Sequence, residues 1–176
     1  MVRVLGTYCA IASLLSVAIA ASSNTDTTVV VADINNLSAQ VSDLNGSVNT
    51  YVTHPTSSNF AGVLTATQVV DKAIQKTTND AVGVLSPSDS KAVLSALQSA
   101  QPVFEATLQN IANSKVDFGD EASYIAQGLV LLAGDTANLS IALLNIAACD
   151  AGIRGETGTV AKAIGAGFTR ALNAYV

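Results

Sequence analysis

Apolar residues recur along this chain at the spacing of α-helix faces. Between Thr25 and His54, the residues Val30, Ile34, Leu37, Val41, Leu44, Val48 and Tyr51 follow at alternating steps of four and three. That is one face of a helix held for about six turns, roughly 45 Å long. Asp33, Asn35, Asn36, Ser38, Gln40, Ser42, Asp43, Asn45 and Ser47 fill the positions between and suit water. Asn24 or Thr25 can cap the start, with Asp26 favourable in the first turn. Pro55 disfavours helical geometry before it, so the helix ends by His54. A helix apolar on one side only needs other helices to cover it.

The same pattern predicts four more. A helix over about Phe60 to Val84 places Phe60, Val63, Leu64, Thr67, Val70, Ile74, Thr77, Ala81 and Val84 on one face, with Gly83 and Ser86-Pro87 closing it. Ser86-Pro87-Ser88-Asp89 then starts a third helix, with a Ser cap, Pro at the first position and acid at the third. It carries Val93, Leu94, Leu97, Ala100, Phe104, Leu108 and Ile111, and Pro102 is expected to bend it. Val116-Asp117-Phe118-Gly119 reads as a break, and Asp120-Glu121 start the fourth and most apolar helix. There Ile125, Leu129, Leu132, Thr136, Leu139, Leu143 and Ile146 form one row, broadened by Val130, Ala133, Ala137, Ile141, Leu144 and Ala148. An arc that wide is expected at the centre of the bundle, covered on more than one side, with Gly128 and Gly134 allowing close approach or a cavity. Asp150 to Gly158 reads as a loop, and a fifth helix runs from about Thr159 to Tyr175 with Val160, Ala163, Ile164, Phe168, Ala171, Leu172 and Tyr175 inward. No strand pattern or internal repeat competes. The expected fold is all-α, a five-helix, mostly antiparallel bundle with an elongated apolar interior.

The first twenty residues change this picture only by leaving it. Arg3, the apolar run Val4 to Ala20 and the small-x-small end Ala18-Ile19-Ala20 fit a signal peptide at 1–20, with cleavage after Ala20 or Ala21, and a bundle domain at 21–176. Without the leader, seven basic and thirteen acidic residues give a net charge of −6. No basic cluster marks a nucleic-acid partner. Three N-x-Ser triplets suit the secretory route: Asn36 and Asn45 lie off the apolar stripe and are candidate glycosylation sites, whereas Asn138 sits among buried-looking positions. Cys149 stands alone once Cys9 leaves, and reads as a buried hydrophobe or an intermolecular bridge. The Ala174-Tyr175-Val176 end carries no lipid-anchor signal, so the expected product is soluble and released.

Chemistry-bearing constellations are scarce. No Cys/His/carboxylate spacing fits a metal, no glycine-rich loop follows a strand, and no nucleophile elbow occurs. Asp117, Asp120 and Glu121 could hold a cation, but helix-start electrostatics explain them more simply. His54, the sole His, reads as a solvent-facing helix end. The expectation is therefore a non-enzymatic protein without cofactor or metal. The unusual feature is an aliphatic surplus on the last three helices. It fits a plain dry core or an openable groove for an acyl chain, since both use the same residue types. The candidate lining of such a groove is Leu44 and Val48 on the first helix and Leu97, Phe104 and Leu108 on the third. Leu129, Leu132, Leu139 and Leu143 on the fourth and Phe168 and Leu172 on the fifth complete it.

Several segments carry a resemblance: Val29-Val30-Val31-Ala32-Asp33-Ile34-Asn35-Asn36-Leu37, Phe60-Ala61-Gly62-Val63-Leu64-Thr65-Ala66, Ala73 to Ala81, and Ala163-Ile164-Gly165-Ala166-Gly167-Phe168-Thr169-Arg170-Ala171-Leu172. From about Val29 to Tyr175 the chain resembles the fungal hydrophobic surface-binding protein A family, which includes cell-wall galactomannoproteins. The resemblance implies a secreted fungal helical bundle that adsorbs to hydrophobic solids, recruits a polyester-degrading hydrolase and binds fatty acids between its helices. The alternative is a structural or antigenic cell-wall glycoprotein with a dry core. The chain lacks the Ser/Thr-rich tail of wall-attached relatives, which argues for loose wall association at most.

Overall fold

The computed structural model describes residues 26–147 and 150–176. The expected leader, the Asn24 or Thr25 cap, Ala148 and Cys149 lie outside the described residues. Among the described residues there are five long helices and no strand: α1 Thr27–Thr53, α2 Ser57–Asp80, α3 Pro87–Asn113, α5 Ala122–Ile146 and α6 Ala151–Ala174. A one-turn helix, α4 Lys115–Phe118, and a 3-10 turn, Gly119–Glu121, join α3 to α5.

All seven stripe residues of α1 are buried, from Val30 to Tyr51. Asp26 is the cap, its carboxylate accepting from the Thr28 N–H at 2.9 Å. Asp33 departs from expectation. It is buried instead of facing water, because the Lys76 ammonium of α2 donates to its Oδ1 at 2.6 Å. Thr56 caps α2, which therefore starts at Ser57. It stops at Asp80, short of the expected Val84, because Gly83 turns the chain at φ +86°. Val84 is consequently 69% exposed and Leu85 takes the buried place, its N–H donating to the Ile146 carbonyl of α5.

In α3, Ser86 and Pro87 cap and start the helix as predicted, and the helix continues through Pro102, which faces solvent. The expected break at Val116 to Gly119 is instead α4 and the 3-10 turn, with Gly119 at φ +50°. Phe118 is fully buried there, stacked on Tyr51 at 5.1 Å and edge-on to Phe60 at 6.5 Å. The expected loop at Asp150 to Gly158 is helical. The Asp150 carboxylate caps α6 by accepting from the N–H groups of Gly152 and Ile153, and buried Thr157 seats the first turns. Packing overrides the poor helix propensity of Gly152, Gly155 and Gly158.

Helices consecutive in the chain reverse direction. The five close into a ring in the order α1, α2, α5, α6, α3, each lying against two neighbours. Thr107 of α3 donates to the Val41 carbonyl of α1, and Tyr175 of α6 to the Ile111 carbonyl of α3, so α1, α3 and α6 run side by side in one sense. Burial holds the Tyr175 phenol well above its usual pKa. α6 meets α3 closely because residue 167 is glycine; a Cβ there would lie 3.0 Å from Leu108 Cδ1.

The ring corrects one expectation. α5 is a wall, not a central helix. Its row from Ile125 to Ile146 is buried, but Val130 and Ile141 are 59% and 58% exposed and Ala137 is exposed. Leu131 is 67% exposed. A ring offers each helix two seams, and the apolar arc of α5 is wider than two seams cover. The helical stretch Lys115–Ile146 is long and apolar enough to cross a membrane by length and composition, yet only a third of its most apolar window is buried.

Candidate functional site

The eleven candidate lining residues do not surround one tunnel. Leu44 and Val48 of α1 and Leu129 and Leu132 of α5 line an upper cavity, together with Val63 and Leu64 of α2. Leu97 and Phe104 of α3 and Leu139 and Leu143 of α5 line a lower cavity, with Ile34, Leu37 and Ile164. Each cavity has about 20 Å³, room for one water molecule. Leu108 lines neither; it fills the close approach at Gly167. Phe168 and Leu172 line an external groove of about 420 Å³ between α5 and α6.

The groove and the lower cavity share three lining residues: Thr136 and Ser140 of α5 and Ala161 of α6. Their small side chains are the partition between outside and inside. Thr136 is 6% exposed, and its hydroxyl has no hydrogen-bond partner. The neighbouring hydroxyls behave otherwise: Ser140, Thr157 and Thr169 each donate to the carbonyl four residues earlier. An unpaired buried hydroxyl costs about 1–3 kcal/mol. Lys162 also lines the groove, exposed and without an ion pair among the described residues. Periodicity put Thr136 in the buried row of α5 but did not mark it as part of a site. Ser140, Ala161 and Lys162 were missed, because the spacing along each helix does not say which side of α5 meets α6.

The sequence profile described as hydrophobic surface binding protein A matches residues 27–145. The chain belongs to the hydrophobic surface binding protein A family. No curated protein sequence matches it. Among solved structures it is similar to AFMP4P in complex with palmitic acid, at 24% identity and a TM-score of 0.79, over 86% of this chain and 100% of that one. Ligand binding domain 1 of Penicillium marneffei MP1 protein, complexed with arachidonic acids, matches at 13% identity and 0.73, over 88% and 99%. Domain 2 of the same protein, complexed with multiple arachidonic acids, matches at 17% and 0.72, over 89% and 98%. At these identities the likeness shows a common fold.

Two charged groups in this member of the hydrophobic surface binding protein A family sit at helix seams. The Lys76 ammonium bridges Asp33 at 2.6 Å and Asp80 at 2.8 Å. Those bonds raise the Lys76 pKa, and the Lys76 bond lowers that of Asp80. Across the α2/α5 seam, the Gln75 amide donates to both Asp71 and Asp135. Burial, then hydrogen bonding to Asp135, raises the Asp71 pKa. A carboxyl with a raised folded pKa contributes stability at low pH that is lost as pH rises through that value. Asp71→Asn is therefore expected to raise Tm at neutral pH relative to the parent, and the advantage to vanish near pH 4; equal Tm shifts at both pH values would refute this.

The remaining predicted positions are scattered. His54 is exposed at the end of α1. Among the described residues no cluster of His, Cys, Asp and Glu could hold a metal. Glu121 accepts from the Tyr51 hydroxyl at 3.2 Å, and burial followed by that bond raises the tyrosine pKa. Asn36 is exposed, while Asn45 is half-buried and accepts from Asn110. Asn138 lies on the exposed side of α5, contrary to the buried surroundings read from the sequence, because that side faces water.

Proposed function

We propose that this protein is a secreted, non-enzymatic binder of long-chain fatty acids and similar lipids, holding the acyl chain between its helices. One observation carries the reading: a wall of three small side chains, Thr136, Ser140 and Ala161, separates the open α5/α6 groove from the apolar interior. The cavities inside are too small for an acyl chain, so uptake requires α5 to move away from α6. Each buried methylene contributes about 0.8 kcal/mol, enough for a long chain to offset parting the helices. The palmitate and arachidonate complexes named for similar structures point to the same ligand class.

Organic extraction of the purified protein followed by mass spectrometry is expected to release acyl chains. Palmitate at about a hundred times its Kd is expected to stabilise the stripped protein by about 2.7 kcal/mol, raising Tm by roughly 5–10 °C. Neither acyl chains nor a Tm rise would overturn the reading.

A second activity, adsorption to hydrophobic solids, is favoured by the uncovered apolar side of α5. Tyr124, Val130, Leu131 and Ile141 are each more than half exposed there. Asp135, the single charged residue within α5, is turned toward α2 and held by Gln75. The leader read at 1–20 supports an extracellular setting, with glycans at Asn36 or Asn45 and loose wall association as further parts of this proposal. A polyester hydrolase adsorbed to the same solid is the partner such a surface suits.

A further inference from the structure

We infer that the α5/α6 groove selects amphiphiles with an acidic head: Lys162 pairs with the head, Thr136 gives it a hydrogen-bond donor, and the tail lies toward Phe168 and Leu172. This rests on the lipid-binding reading and adds the head-group chemistry and its orientation.

Charge complementarity argues for the acid. The protein is acidic, with a formal net charge of −5, and its overall field opposes an anion. The groove is an exception: Lys162 is its single charged lining residue, and no carboxylate lines it. That ammonium has no ion-pair partner among the described residues, unlike Lys76, which is held by two carboxylates. Screening over about 8 Å at physiological salt leaves the contact charge to decide which head settles there.

The second observation is independent of charge. Thr136 is more than nine-tenths buried, lines both groove and cavity, and its hydroxyl is unpartnered. A donor left free at that partition suits a ligand oxygen arriving from the groove. The direction of the ligand follows from the order of residues on α6. Lys162 lies near the end of the groove closed by Gly158 and Leu144, and Leu172 is ten residues further along, about 15 Å. The other two large concavities offer no such pairing. The one at Gln75, Asp135 and Asn138 and the one at Ser42, Asp43 and Asn59 are lined mainly by polar side chains and each carries a carboxylate.

The test compares palmitate with hexadecanol, which share a tail and differ in the head, by displacement of the neutral dye Nile red from the full chain. The parent protein is expected to bind palmitate about fivefold more tightly than hexadecanol at low salt, less so at high salt. Lys162→Met is expected to abolish that preference, palmitate losing far more affinity than hexadecanol. Lys72→Met, which removes an exposed cation on α2, is expected to keep it. Thr136→Val, close in shape, is expected to weaken both ligands severalfold. An undiminished palmitate preference in Lys162→Met overturns the inference while lipid binding stands; failure of both ligands to displace the dye overturns the lipid-binding reading itself.

Discussion

Replacing Phe118 with alanine is expected to destabilise the protein by about 3–5 kcal/mol, lowering Tm on the order of 10 °C. The ring is fully buried in a four-residue helix that has little stability of its own. Tyr51 of α1 stacks on it at an interplanar angle of 8°, and Phe60 of α2 meets it edge-on. Phe60 in turn contacts Tyr124 of α5. Truncation opens a cavity beneath two aromatic neighbours and removes the anchor that holds the α3–α5 connection to the end of the bundle. Such a void refills poorly, because Gly119 fixes the turn at φ +50° and Tyr51 is tied to Glu121. Chemical denaturation read by circular dichroism measures the change. A loss under 1 kcal/mol would show that the connection is not anchored by this ring.

The triple variant Val130→Ser, Leu131→Ser, Ile141→Ser is expected to lose adsorption to polystyrene or polyester beads by about a hundredfold. The three side chains are 59%, 67% and 58% exposed, so each has only part of its apolar surface left to bury. At roughly 1 kcal/mol apiece the sum is about 3 kcal/mol, and each 1.4 kcal/mol is tenfold. No charge is introduced, so the change isolates apolar contact. Stability should move little, since these positions support no core. Depletion isotherms at fixed protein concentration report the outcome. Parent-like adsorption with an unchanged melting curve would place the adsorbing face elsewhere on the molecule.

The two predictions differ in what the sequence could disclose. The exposed apolar side of α5 is legible as an excess of aliphatic positions, but periodicity alone does not distinguish an arc covered on both sides from one left in water. Phe118 was hidden in a stretch read as a break, because a one-turn helix has no periodicity to detect. That Lys162 and Thr136 line one groove was further out of reach. It depends on which sides of α5 and α6 meet when the ring closes, and residues distant in the chain decide that.

By itself the sequence determined which residues are apolar and with what period, and hence the helices and their buried rows. The stripe of α1 and the row of α5 from Ile125 to Ile146 are buried as their spacing requires. Membership of the family was carried by the same local patterns. Only the tertiary structure decided what covers each row. Closing five helices into a ring gives each helix two neighbours, and this left part of α5 in water, kept the cavities among the described residues of the interior small and set the groove against α6. Periodicity fixes the direction a side chain takes from its own helix axis, whereas the partner on that side comes from distant parts of the chain.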